Sequence, residues 1–184
     1  KVAKFEGAYH GIDDAAMISY LPPLGPEIGP ESRPVGVESS GGLSSGTIDQ
    51  VLVLPFNDLE ACSTLIRENS DDLAAVIIDP LSTAAGMALP LPGFLEGLRE
   101  LTSKLGVLLI FDEVVSFRAS SGGAQKTFKV CPDLTCLAKV IAGGTPGGAF
   151  GGRKDIMSLY DPRGDGPVIP QSGTYNGNPV VMTV

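Results

Sequence analysis

Basic residues are scarce in this chain: 13 Lys and Arg stand against 21 Asp and Glu in 184 residues, a formal charge of −8. A nucleic-acid binder shows a clustered basic surface, so that class of partner is excluded. Long apolar runs are missing too. The longest, such as Gly106 to Phe111, fall far short of the roughly 18 residues that cross a membrane, and no charged-then-apolar leader pattern opens the chain at Lys1. Cysteine is limited to Cys62, Cys131 and Cys136, and histidine to His10. An odd number of thiols without CxxC spacing suits neither a disulfide framework nor a four-ligand zinc site. Three reduced thiols in a cytoplasmic protein, with no metal, is the expectation.

What the chain holds in excess is glycine and proline, 24 and 15 residues, against usual shares of roughly 7% and 5%. There is no collagen-type period, so the excess belongs in turns and where backbone comes close to something else. Hydrophobic residues, at 43%, suffice for a packed core, and the length suits a single domain.

Strand-like and helix-like patterns alternate. Lys1 to Glu6 and Val51 to Leu54 read as short strands, and Leu73 to Asp79 and Val107 to Asp112 as continuous apolar strands that end in carboxylates. Such uninterrupted runs fit a mostly parallel α/β sheet with helices on both faces. Asn57 to Glu68 reads as a helix in which Asn57 caps and Glu60 completes a capping box. Pro92 to Leu105 is amphipathic, with Phe94, Leu95, Leu98, Leu101 and Leu105 on one stripe and Gly106 as its stop. The last two apolar strands and this helix form one right-handed βαβ crossover. Leu21 to Gly46 and Leu159 to Gly173 are long irregular loops, each a surface excursion or part of a site. Asn178 to Val184 begins a helix. Both ends read as cut within an element, which points to a piece of a larger domain.

In open α/β sheets ligands bind beyond the carboxyl ends of the strands. Asp79 and Asp112 lie at such ends, where a turn or helix-cap role competes with a site role. Asp112 follows five apolar residues, where an ionised group is costly without a cationic partner. Farther on, Lys139 stands alone among apolar residues ahead of a glycine-dense stretch. It is either a surface lysine or an amine nucleophile activated by desolvation. Glu113 and Arg118 read as local ion-pair partners of little energetic weight. The glycine pairs at 143, 147 and 151 match no phosphate-binding fingerprint, and read as a tight turn.

With Asp112 and Lys139 placed, the sequence resembles the class III pyridoxal-phosphate (PLP) aminotransferases, and most of all the branch containing glutamate-1-semialdehyde aminomutase. The resemblance runs through KFEGAYHG, LPFNDLEA, PLPGFLEGLREL, LLIFDEV, PDLTCLAKVIAGG, GAFGG and QSGTYNGNP, seven blocks in the family's order that span essentially the whole chain. It implies the large domain of PLP fold type I, with residues 1–184 as its central part and with the N-terminal part and a small C-terminal domain absent. The implied activity is transfer of an amino group, by transamination or as an intramolecular 2,1-aminomutase, on a small amino-acid or amino-ketone substrate.

Residue roles follow from the same likeness. Lys139 matches the lysine that forms a Schiff base with PLP, and Asp112 the carboxylate that pairs with the pyridine nitrogen and keeps it protonated. Val114 would pack on one ring face, and Tyr9 would stack on the cofactor with His10 beside it. His10 itself reads more as a structural histidine than as a ligand. Asn57 lies near the cofactor in the family, although a cap role accounts for it equally. Thr174 matches the residue that reaches the cofactor phosphate of the neighbouring subunit in a homodimer with shared active sites. Ala138 stands where the family has Gly before the lysine, Thr145-Pro146-Gly147 replaces its usual Leu-Pro-Val or Met-Pro-Val, and Asp79 replaces a Glu. The family's main phosphate turn would precede Lys1, so the piece alone is expected to hold PLP weakly. A PLP racemase or epimerase would use the same Asp and Lys, and a non-catalytic or inactive fragment of the fold is the remaining alternative.

Overall fold

The computed structural model describes residues 1–163 and 165–183. Gly164, inside the expected loop Leu159 to Gly173, and Val184, at the end of the expected terminal helix, lie outside the described residues. Six strands form one sheet: β1 (Val2–Phe5), β2 (Val51–Leu54), β3 (Ala75–Ile78), β4 (Leu108–Asp112), β5 (Leu134–Ala138) and β6 (Gly148–Gly152). Their order is β2-β1-β3-β4-β5-β6. The first five run parallel, and β6 closes the edge antiparallel to β5. The helices are α1 (Leu59–Glu68), α2 (Phe94–Leu105), α3 (Gly123–Phe128), α4 (Lys154–Met157) and α5 (Pro179–Thr183). The expected βαβ unit is β3-α2-β4, with Ala75 to Ile78 in register with Leu108 to Phe111.

One face of the sheet carries the main core. Ala3, Phe5, Leu54, Val76, Ile78, Leu109 and Phe111 meet Cys62, Leu65 and Ile66 of α1 and Phe94, Leu95, Leu98 and Leu101 of α2. Full burial of one such side chain contributes about 1.5–3 kcal/mol, which is why the amphipathic stripe of α2 docks as its spacing predicts. Phe5, Phe56 and Phe94 add edge-to-face contacts with centroids 5.3–5.9 Å apart. Gly106 ends α2 at φ +70°, and its N–H reaches the Thr102 and Ser103 carbonyls. Over β1 and β2 the opposite face is covered by the irregular segment rather than by a helix, with Ile18, Val51 and Val53 packed on Ala15, Leu43 and Ile48.

Local readings change in four places. Asn57 does not cap α1. It sits at φ +67°, with both amide atoms engaged by the Leu89 carbonyl and the Leu91 N–H at 2.9 and 2.8 Å, so Asp58 caps instead through Ala61 N–H. The glycines of Gly148–Gly152 build a strand: a Cβ at Gly152 would collide with the Asp133 carbonyl, so the close approach there is to β5. Glu113 forms no ion pair at the surface. It is fully buried, and its carboxylate accepts the Ala124 N–H and, at 3.3 and 2.9 Å, the Gln125 N–H and amide. Val114 leaves the extended backbone for a turn, with its N–H donating to Asp112 Oδ1 at 3.1 Å.

Candidate active site

Because β1 sits between β2 and β3, the chain leaves β1 toward one side and then crosses back to the other. That reversal opens a crevice at the carboxyl ends of β1 and β3. A cavity of about 440 Å³ lies there. It is lined by Tyr9, His10 and Gly11 after β1, Tyr20 from the segment between β1 and β2, Asp79, Thr83 and Ala84 after β3, Asp112, Val114 and Val115 at the end of β4, and Lys139 directly after β5. Five of the residues singled out from sequence, Tyr9, His10, Asp112, Val114 and Lys139, are thus brought together from three strand ends.

Asp112 is the anionic centre. It is 8% exposed, and its Oδ2 lies 2.7 Å from His10 Nδ1. A carboxylate only accepts, so His10 carries its proton on Nδ1 and donates it to Asp112. The imidazole is 4% exposed, and its Nε2 is buried without a hydrogen-bond partner among the described residues. Across the sheet Asp112 is in register with Cys136. Burial raises the Cys136 thiol pKa, and the charge of Asp112 raises it further, which leaves that sulfur a neutral thiol rather than a nucleophile.

Lys139 takes the position where β5 ends, at φ +53°, a left-handed conformation that costs a non-glycine residue roughly 1 kcal/mol or more and recurs at functional sites. The side chain is exposed. The desolvation expected of a lysine set among apolar neighbours is therefore not provided by the described residues, although Lys139 lines the cavity. Asp79 is spent locally: its carboxylate accepts Leu81 N–H at 3.0 Å, Thr83 N–H at 2.9 Å and Thr83 Oγ1–H at 2.5 Å. It shapes the turn that forms one cavity wall.

Two expected residues lie outside the cavity lining. Asn57 clamps the loop at Leu89 to Leu91, and Thr174 is exposed in the turn 173–177. Sequence reasoning missed Tyr20, whose ring packs on Tyr9 at 4.6 Å between centroids. Tyr20 lies just before the irregular run that begins at Leu21, and nothing in the residue pattern marks it.

The donor set fits PLP. Asp112 offers a fixed negative charge for a basic ring nitrogen, Lys139 an amine for an aldehyde, and Tyr9 and Val114 apolar surface for a flat ring, all around one cavity.

Comparison with known proteins bears on the family. The chain is 46% identical over 183 residues to a glutamate-1-semialdehyde 2,1-aminomutase of Desulforudis audaxviator, covering 99% of this chain and 40% of that protein. It superposes on an omega-transaminase from Sphaerobacter thermophilus with a TM-score of 0.93 and 44% identity, covering 99% of this chain and 41% of that one. On a transaminase with PLP bound the TM-score is 0.88 at 37% identity, over 100% and 41% of the two chains. The chain thus spans about 40% of the length of these relatives. The family model described as aminotransferase class-III matches residues 1–184 throughout, and the chain belongs to that family of PLP-dependent enzymes.

Proposed function

We propose that this chain is the central part of the large domain of an enzyme that transfers amino groups with PLP. The observation that carries the reading is that Asp112 and Lys139, at the ends of β4 and β5, face one cavity that Tyr9 and His10 complete. When bound, PLP supplies an aldehyde that condenses with amines and a ring that accepts electrons from the substrate carbon.

The residues divide the remaining work. Asp112 holds a proton at the ring nitrogen. His10 keeps the Asp112 carboxylate aimed through its 2.7 Å hydrogen bond, while Val114 N–H fixes the other oxygen. The Lys139 amine would hold the cofactor through its aldehyde and, when free, would serve as the general base and acid that moves the proton between the substrate carbon and the cofactor. Val114 would pack on one face of the ring and Tyr9 would stack on it, both from the cavity lining. Asn57 clamps the Leu89 to Leu91 loop outside the cavity lining, and Thr174 reaches the cofactor phosphate of a neighbouring subunit in a cytoplasmic homodimer. The substrate is a small amino acid or amino ketone, the class on which a 2,1-aminomutase and a transaminase both act.

The whole protein incubated with PLP should develop an absorbance band displaced from that of free PLP, and borohydride should fix the cofactor to Lys139, as read by peptide mass. Absence of both sinks the reading. Consumption of a keto-acid acceptor then identifies a transaminase, and isomerisation without an acceptor an aminomutase.

A further inference from the structure

We propose that Tyr20 is a positioning residue of this site, a buttress that sets the plane of the Tyr9 ring. The inference rests on the reading of Tyr9 as the residue that stacks on PLP. Both rings line the cavity, and they meet at 4.6 Å with a tilt of 48°. Tyr9 is 38% exposed; its neighbours Ala8, buried, and His10, bound to Asp112, fix its backbone, which leaves the plane of the ring to be set by what the ring itself touches. Tyr20 is held at its main chain from three sides. Its N–H and that of Leu21 both donate to Ser39 Oγ, at 2.9 and 3.0 Å. Ser19, fully buried at φ +50°, donates its N–H to the Val37 carbonyl at 2.7 Å and accepts the Gly7 N–H at 2.8 Å. The buried Lys4 ammonium donates to the Ile18 carbonyl at 2.5 Å. The segment that carries Tyr20 is thus tied to β1 and to the Val37 to Ser39 strap. A ring carried on that frame transmits its order to Tyr9, because tilted aromatic contact favours one relative orientation.

The test uses the whole protein, stripped of cofactor and titrated with PLP. The readouts are the dissociation constant and the circular dichroism of the cofactor's visible band, which reports how the bound ring is held. Tyr20→Phe should match the wild type. Tyr20→Ala should weaken PLP roughly three- to tenfold and alter the dichroic band. Tyr20→Leu, which keeps bulk without a π-face, should do the same and serves where the alanine variant folds poorly. Since Tyr20 acts through Tyr9, the Tyr9→Ala/Tyr20→Ala double variant should be no worse than Tyr9→Ala alone. Wild-type affinity and dichroism in both Tyr20→Ala and Tyr20→Leu overturn the proposal, as do fully additive effects. Failure of the wild-type protein to take up PLP at all overturns the parent reading, and this inference with it.

Discussion

His10 Nδ1 and Asp112 Oδ2 lie 2.7 Å apart although 102 residues separate them in the chain. The pair joins the turn after β1 to the end of β4, and it means that the charge of Asp112 is aimed before any ligand arrives. Such preorganised charge is worth most in a site that excludes water. Asp112→Ala should lower the rate of amino-group transfer by about 10³-fold, whereas His10→Phe, which removes one charge-assisted hydrogen bond and leaves the carboxylate, should cost on the order of tenfold. Steady-state rates of the two variants in the whole protein check the ranking. Equal losses would show that His10 does more than aim Asp112.

Glu113 points to the opposite side of the same turn, and its role is structural. Its buried carboxylate accepts two backbone N–H groups at the start of α3 and the Gln125 amide, and Gly123, at φ +70°, has no room for a Cβ beside it. Truncation leaves these donors without a partner away from water. Glu113→Ala should therefore destabilise the fold by about 3 kcal/mol, with Glu113→Gln intermediate because it loses the charge but keeps the shape. Urea denaturation measures both.

Most of this architecture is legible in the residues, because continuous apolar runs mark the buried parallel strands and a clean stripe at helical spacing marks α2. β3, α2 and β4 are read almost to the residue, and so is the stop at Gly106. β5 and β6 are not. Leu134–Ala138 includes Thr135 and Cys136 and is half-buried throughout, and Gly148–Gly152 is built of residues that strands ordinarily avoid. The site divides in the same way. Asp112 and Lys139 stand out because charges that close an apolar run demand a reason. Tyr20 and Lys4 do not stand out, since their neighbours are tertiary: Tyr20 meets Tyr9, eleven residues before it, ring to ring, and Lys4 donates to the Ile18 carbonyl, fourteen residues on. Glu113 reads as a surface charge because its partners, two backbone N–H groups and the Gln125 amide, lie 11 and 12 residues on.

Asn57 supplies a conformational test. At φ +67° it occupies a region that asparagine and glycine tolerate and alanine does not, and its amide spans the Leu89 carbonyl and the Leu91 N–H. Asn57→Gly keeps the backbone and loses the clamp. Asn57→Ala loses both and should be less stable than the glycine variant by about 1 kcal/mol. Chemical denaturation of the two variants checks the order. PLP affinity should change little in Asn57→Gly, since this side chain is outside the cavity lining, and a large loss there would put Asn57 back at the cofactor.

Lys4 makes stability depend on pH. It is 2% exposed on β1, and desolvation by burial lowers its pKa from 10.5 to about 8. Below pH 8 the amine is protonated in both the folded and the unfolded chain, so this group adds no pH dependence. Between pH 8 and 10.5 the folded chain has released the proton and the unfolded chain retains it. The unfolded state then binds more protons, and stability rises with pH. Above 10.5 both forms are neutral and the gain is complete. The buried Cys62 thiol, pushed up to about 12 by desolvation and the nearby Asp58 charge, works the other way, lowering stability between pH 9 and 12. A comparison with Lys4→Met separates the two, since the thiol contribution is common to both proteins and cancels. The unfolding free energy of the wild type minus that of Lys4→Met should be flat below pH 8, climb from 8 to 10.5 and level off above. Parallel curves across that window would show that Lys4 keeps its ordinary pKa in the folded protein.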